Sequence, residues 1–241
     1  MKIEILQTAA QVNAKAAWHF IRRAAFDGVL TGVATGDTTR AVYALVAALY
    51  ETAPFDTSKI RICALDDYAG IEGDHPASCS ARIRAQLQVP LHLCSEQLIL
   101  PEAFPGTPDA VAQAYEERLT SLGGIQTQLL GIGADAHLGF CRPGTPFCSP
   151  AHAVQLPEDT RQMLHRKYAL EIEKLPRCGV TLGLKSIMQI PELLVIATGT
   201  AKARAVYDSL HHAPDERIPA SILQLHPNVT WLLDAEAASL L

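Results

Sequence analysis

The chain is 241 residues long, 49% hydrophobic and 19% charged, enough apolar material for one large domain with its own core and too much for a disordered polypeptide. A formal charge of -5 with nine neutral His, and no Lys/Arg run, argues against nucleic acid or an anionic membrane as partner. No apolar stretch reaches the ~18 residues of a membrane span, MKIEILQTAAQ lacks the apolar core of a signal peptide, and six Cys without a CxxC pair read as reduced thiols of a cytoplasmic protein.

In chain order, an amphipathic stretch at 13–27 leads into an apolar run at 29–34, and the pattern then repeats. Helix-like periodicity at 38–50 is followed by the run 60–65, that at 77–88 by 98–100, and that at 108–122 by 127–132. Beyond these come a run at 193–198, a helix at 201–210, a run at 229–233 and a short helix at 235–240. The strands are mostly continuous apolar runs, as expected when helices cover both faces of a parallel sheet. The alternation predicts an α/β fold: one doubly wound, mostly parallel, Rossmann-like sheet in a single domain over 1–241. Residues 134–157 interrupt the rhythm with a Pro- and Gly-rich segment, and the polar, helix-like stretch after it makes 157–175 a candidate lid.

In such a sheet, ligands bind beyond the carboxyl ends of the strands, and four strand ends stand out. Thr35-Gly36-Asp37-Thr38 turns from strand into helix and offers backbone N–H groups to a single phosphate. The same residues also read as a helix start that Asp37 merely caps. Asp66-Asp67-Tyr68 sets two carboxylates after a strand, only one of which can face a cleft on extended backbone. That one suits a general base; a solvated loop is the other reading. Asp135 lies two residues before His137 and can orient and charge its imidazole, or the His is simply a surface loop residue. Lys202 follows Gly199-Thr200 on the same rim and can meet an anion. All four fall on one edge of one sheet. No metal-ligand spacing and no nucleophile elbow is present, so neither metal nor cofactor is expected. A metal-free acid–base reaction on a small phosphorylated molecule fits what remains.

Five blocks, in register over nearly the whole chain, resemble the glucosamine-6-phosphate deaminase family, whose fold is shared with 6-phosphogluconolactonases. GVATGDTTRAVY is similar to its phosphate turn, ALDDYAGIEGDHPASC to its acidic block, and LLGIGADAHLGFCRPG to its most specific motif. GVTLGLKSIMQIPELLVIATGTAKA and IPASILQLHPNVTWLLD are similar to its two C-terminal blocks, with some likeness to galactosamine-6-phosphate deaminases. The resemblance implies a deaminase/isomerase-like hydrolase acting on a hexosamine 6-phosphate. It assigns ring opening to Asp135 and His137, and proton transfer from carbon 2 to carbon 1 to Asp66. Asp67 would serve as a second carboxylate at the substrate, Tyr68 would close over the sugar, Thr35 would help bind it, and Gly36, Thr38, Arg166 and Lys202 would meet the phosphate.

Two departures carry charge. Arg142 stands where the family has Glu, and Asp37 where it has Gly or Ser. An acid ~4 Å from a phosphate charge costs on the order of 4 kcal/mol at an effective dielectric of 20, unless it is paired. Arg142 invites an anionic group at the sugar end, so a sugar acid, a lactonase-like substrate or a non-catalytic sugar-phosphate sensor are the alternatives. The allosteric members are hexamers with a longer tail and basic effector contacts where this chain has His152 and Val154. A monomer or small homo-oligomer without amino-sugar allostery is therefore expected.

Overall fold

Five of the apolar runs form the interior of one parallel sheet, because each presents apolar side chains to helices on both sides, and the short run at 98–100 forms one edge. The structure, a computed structural model, describes the backbone of residues 1–241 and the side chains of all but Ala103. The strands are β1 (Lys2–Leu6), β2 (Leu30–Val33), β3 (Arg61–Ala64), β5 (Leu98–Ile99), β6 (Thr127–Gly131), β9 (Glu192–Ala197) and β10 (Val229–Asp234). Their order across the sheet is β1-β10-β9-β6-β2-β3-β5, with every pairing parallel. The helices are α1 (Ala9–Ile21), α2 (Asp37–Thr52), α3 (Cys79–Ile83), α4 (Pro108–Ser121), α5 (Glu158–Tyr168), α6 (Leu184–Met188) and α7 (Ala203–His211).

Alternation along the strands divides the core into two layers. Ile62, Leu129, Leu194 and Leu232 pack with Val12, Phe20 and Tyr43 of α1 and α2. Cys63, Leu130, Val195 and Trp231 pack with Tyr115 of α4, Ile187 of α6 and Val206 of α7. This is the doubly wound arrangement, with β2, β3, β6 and β9 ending on one edge.

A second, three-stranded antiparallel sheet stands beside that edge, in the order β4 (Asp66–Ala69), β8 (Cys178–Thr181), β7 (His152–Gln155). Its strands come from the acidic block, from the irregular segment and from the chain just after the candidate lid, none of which the periodicity resolved as strands. The edge strand β1 was also not anticipated: its Ile3 and Ile5 are exposed, so it lacks the fully apolar pattern of its neighbours. The predicted helix at 235–240 is instead a run of turns. Asp234 Oδ1 accepts from Ala237 N at 2.8 Å, and Ser239 N reaches only back to Glu236 O, so no helical ladder propagates. Among the described residues, no helix is long and apolar enough to cross a membrane.

Candidate active site

The strand edge, the small sheet and α5 enclose a cleft of about 590 Å³. Its floor is the turn from β2 into α2. Thr39 Oγ1 and the Tyr43 hydroxyl both donate to Ala34 O at 2.9 Å, which pins the turn from within. Gly36, not Asp37, occupies the cap position of α2, so the capping reading of Asp37 does not hold. Thr35, Gly36, Asp37 and Thr38 all line the cleft at the positive end of α2. The Asp37 carboxylate turns instead to Lys167 Nζ at 3.0 Å, which holds it below its usual range.

Asp66 and Asp67 separate as the pleat of β4 requires. Asp66 lines the cleft and is only 9% exposed. Burial raises its pKa from 3.8 to about 6, against the opposing pull of the Cys79 thiol and of Arg82. Asp67 does not line this cleft. It accepts from the backbone N–H groups of Tyr68, Cys79 and Ser80 at 2.7, 2.8 and 2.9 Å, and from the hydroxyls of Ser78 and Ser80. Its carboxylate is committed to the N-terminus of α3, which corrects the expectation that it contacts substrate.

The Asp135–His137 pair closes the opposite wall. Asp135 Oδ1 lies 2.5 Å from His137 Nδ1, so the ring is oriented with its other nitrogen free, and His137 lines the cleft with Asp135 behind it. Partial burial works against the Asp135 charge, yet His137 and Arg142 hold the carboxyl below its ordinary range. Glycine is required twice here. A Cβ on Gly133 would sit 2.1 Å from His137 Nδ1, and one on Gly139, at φ +57°, would sit 3.2 Å from Asp66 Oδ2. The second contact shows how closely the His137 loop abuts the Asp66 carboxylate.

Arg142 lines the cleft, but its guanidinium is already engaged. It lies 3.5 Å from Asp135 Oδ2 and meets Asp159 of α5 through two contacts of 3.3 Å. Lys202 reaches the cleft from the turn after β9, and burial lowers its pKa against the pull of Asp135 and Asp37. Tyr68 lies against Phe140, ring centroids 5.1 Å apart, and both line the cleft.

Helix α5 does cover the cleft, within the segment read as a lid. Thr160, Met163 and Lys167 line it, spaced as one helical face. Arg166 falls off that face and is exposed, so the structure places the neighbouring Lys167 in the cleft instead. Applying the 3.6-residue period to 157–175 would have separated the two. Cys79 and Arg82 also line the cleft and were not singled out. Their position within HPASCSAR, just after the acidic pair, was the available signal. Among the described residues, no group of three His, Cys, Asp or Glu is gathered for a metal.

Residues 2–231 match the family model of glucosamine-6-phosphate isomerases/6-phosphogluconolactonase. A glucosamine-6-phosphate deaminase of Halalkalibacterium halodurans is 34% identical over 98% of this chain and 96% of its own length. Another, from Arthrobacter sp., is 36% identical over 99% and 92%. Among solved structures, a monomeric glucosamine-6-phosphate deaminase superposes with TM-score 0.92 at 33% identity, covering 100% of both chains. The 6-phosphogluconolactonase of Trypanosoma brucei superposes at 0.76 with 20% identity, over 99% of this chain and 97% of its own, a likeness of fold alone.

Proposed function

The chain belongs to the family of glucosamine-6-phosphate isomerases and 6-phosphogluconolactonases, and from that premise we propose that it deaminates and isomerises an amino-sugar 6-phosphate. The observation that carries this reading is Asp66: a buried carboxylate with a pKa of about 6, set in one cleft with an imidazole–carboxylate pair and a helix N-terminus. At neutral pH such a group is ionised yet desolvated, the condition a general base needs to take a proton from carbon. The relatives named glucosamine-6-phosphate deaminase, at 34–37% identity, support the same reading.

The phosphate sits on the amides of Gly36–Thr39, with Lys202 and Lys167 supplying positive charge. His137, oriented by Asp135, moves the proton between the ring oxygen and the anomeric hydroxyl and opens the ring. Asp66 then takes the proton from carbon 2 and returns it to carbon 1. The resulting ketimine adds water at carbon 2 and expels ammonia, leaving a ketose 6-phosphate. Net water uptake makes the overall reaction a hydrolytic deamination.

The engagement of Arg142 with Asp135 and Asp159 argues against a sugar acid meeting a free guanidinium. Pairing of Asp37 with Lys167 likewise offsets the acid in the phosphate turn. A monomer or small oligomer in the cytoplasm belongs to the same proposal, and light scattering of the purified chain tests the first part. Ammonia release from glucosamine-6-phosphate and galactosamine-6-phosphate, with Asp66→Asn as control, tests the activity. Release from one epimer, abolished in the variant, is the expected result. Silence of the folded protein with both sugars overturns it.

A further inference from the structure

Within the cleft wall lies a chain of contacts that the reaction above leaves unused. Arg82, on the helix that Asp67 anchors, spends three of its donors on the protein. Nε reaches Ser78 O at 3.3 Å, Nη1 reaches Thr35 O at 2.9 Å, and Nη2 reaches Cys79 Sγ at 3.0 Å. Cys79 Sγ in turn lies 3.3 Å from Asp66 Oδ1. The guanidinium can only donate, so the sulfur accepts from it and keeps its own hydrogen for the carboxylate. Every link therefore has a fixed donor and acceptor, running from Arg82 through sulfur to Asp66.

We propose that Cys79 and Arg82 are positioning residues for Asp66: the guanidinium holds the thiol, and the thiol fixes the carboxylate and favours its ionised form. The inference rests on the reading of Asp66 as the base. It also ties that base to the anion turn, because the same guanidinium holds the Thr35 carbonyl. Burial and the charge of Asp66 push the Cys79 thiol well above its normal range, so it serves as a hydrogen-bond donor rather than a nucleophile. The titratable groups close enough to act on Asp66 are Cys79 and Arg82 from α3, Asp67 and Tyr68 on its own strand, Tyr115 of α4 and the Cys141 thiol. Among these only Arg82 is cationic. Loss of either link removes an influence that lowers the pKa of Asp66.

The test is the pH profile of kcat for ammonia release, compared among wild type, Cys79→Ala, Cys79→Ser, Arg82→Met and Asp66→Asn. The titration of the substrate's own phosphate is common to all of them and drops out of the comparison. Cys79→Ala removes one sulfur and leaves the backbone of α3 in place, so it is the main variant. Its acidic limb is expected about one pH unit higher than that of wild type, with a roughly tenfold lower rate below the limb and a nearly unchanged plateau. Arg82→Met is expected to move the limb the same way, and Cys79→Ser, whose hydroxyl also donates, to restore it. Cys79→Ala with the limb unmoved and only KM or the plateau altered overturns the inference, because loosened packing does not titrate. If Asp66→Asn retains full activity, the base assignment itself fails. If Asp66→Asn is inactive while the limb of Cys79→Ala stays in place, this inference alone is overturned.

Discussion

On the inner wall of the cleft, Asp66 is 9% exposed and burial lifts its pKa to about 6. On the rim, the Asp37 side chain is 73% exposed and its carboxylate pairs with Lys167, while Arg142 pairs with Asp159. The inner charge is expensive to hold and chemically useful for that reason. The rim charges sit where water screens them, and each pair contributes about 0–1 kcal/mol. Both unexpected charges of this sequence lie on the rim and are met by one helix, α5. The chain thus varies where charge is cheap, whereas the inner wall is built around one desolvated carboxylate.

The largest effect that can break this comparison is catalytic. Asp66→Asn should lower the rate of ammonia release by about 10²- to 10⁴-fold, the usual worth of a general base. The same substitution should stabilise the protein. The folded pKa of Asp66 is above its ordinary 3.8, so its contribution to stability is intact below that value and falls as pH rises through about 6. At about 1.4 kcal/mol per pH unit, ionised Asp66 costs on the order of 3 kcal/mol at pH 8. Denaturant unfolding should show Asp66→Asn more stable at pH 8 and equal to wild type near pH 3.5. A variant less stable at both would mean that burial is not what raises the group.

Asp135→Asn leaves a neutral side chain beside His137 and should lower the rate by about 10- to 100-fold with little change in KM, as seen in steady-state kinetics. The rim should respond least, and in two directions. Lys167→Ala should raise KM for the sugar phosphate a few-fold, and Asp37→Ala should lower it a few-fold. In about 1 M salt both effects should fade, the Debye length there being about 3 Å, whereas the effect of Asp66→Asn should persist. Rim variants that remain as different at high salt would contradict the contrast between the walls.

Much of this was legible in the sequence. The parallel sheet and its helices follow from apolar runs such as 127–132 and 193–198, which are buried on both faces and carry the strongest periodic signal. Separation of Asp66 from Asp67 follows from strand alternation, and the Asp135–His137 contact from spacing alone. The small sheet was not legible, because β4, β7 and β8 are four residues each and pair across long stretches of chain. The Cys79–Arg82 contact is an i, i+3 pair on α3, but the contact that joins it to Asp66 is tertiary and no period announces it. Arg166 was singled out from the family motif, and only the rotation of α5 puts Lys167 in the cleft.

The most direct test of the central claim is deuterium incorporation at carbon 2 of glucosamine-6-phosphate in heavy water, followed by proton NMR for wild type and Asp66→Asn. Loss of the carbon-2 proton signal with wild type, together with ammonia release, and neither with the variant, is the predicted result. Exchange by Asp66→Asn at the wild-type rate would contradict the account, since the proton would then be leaving to some other group.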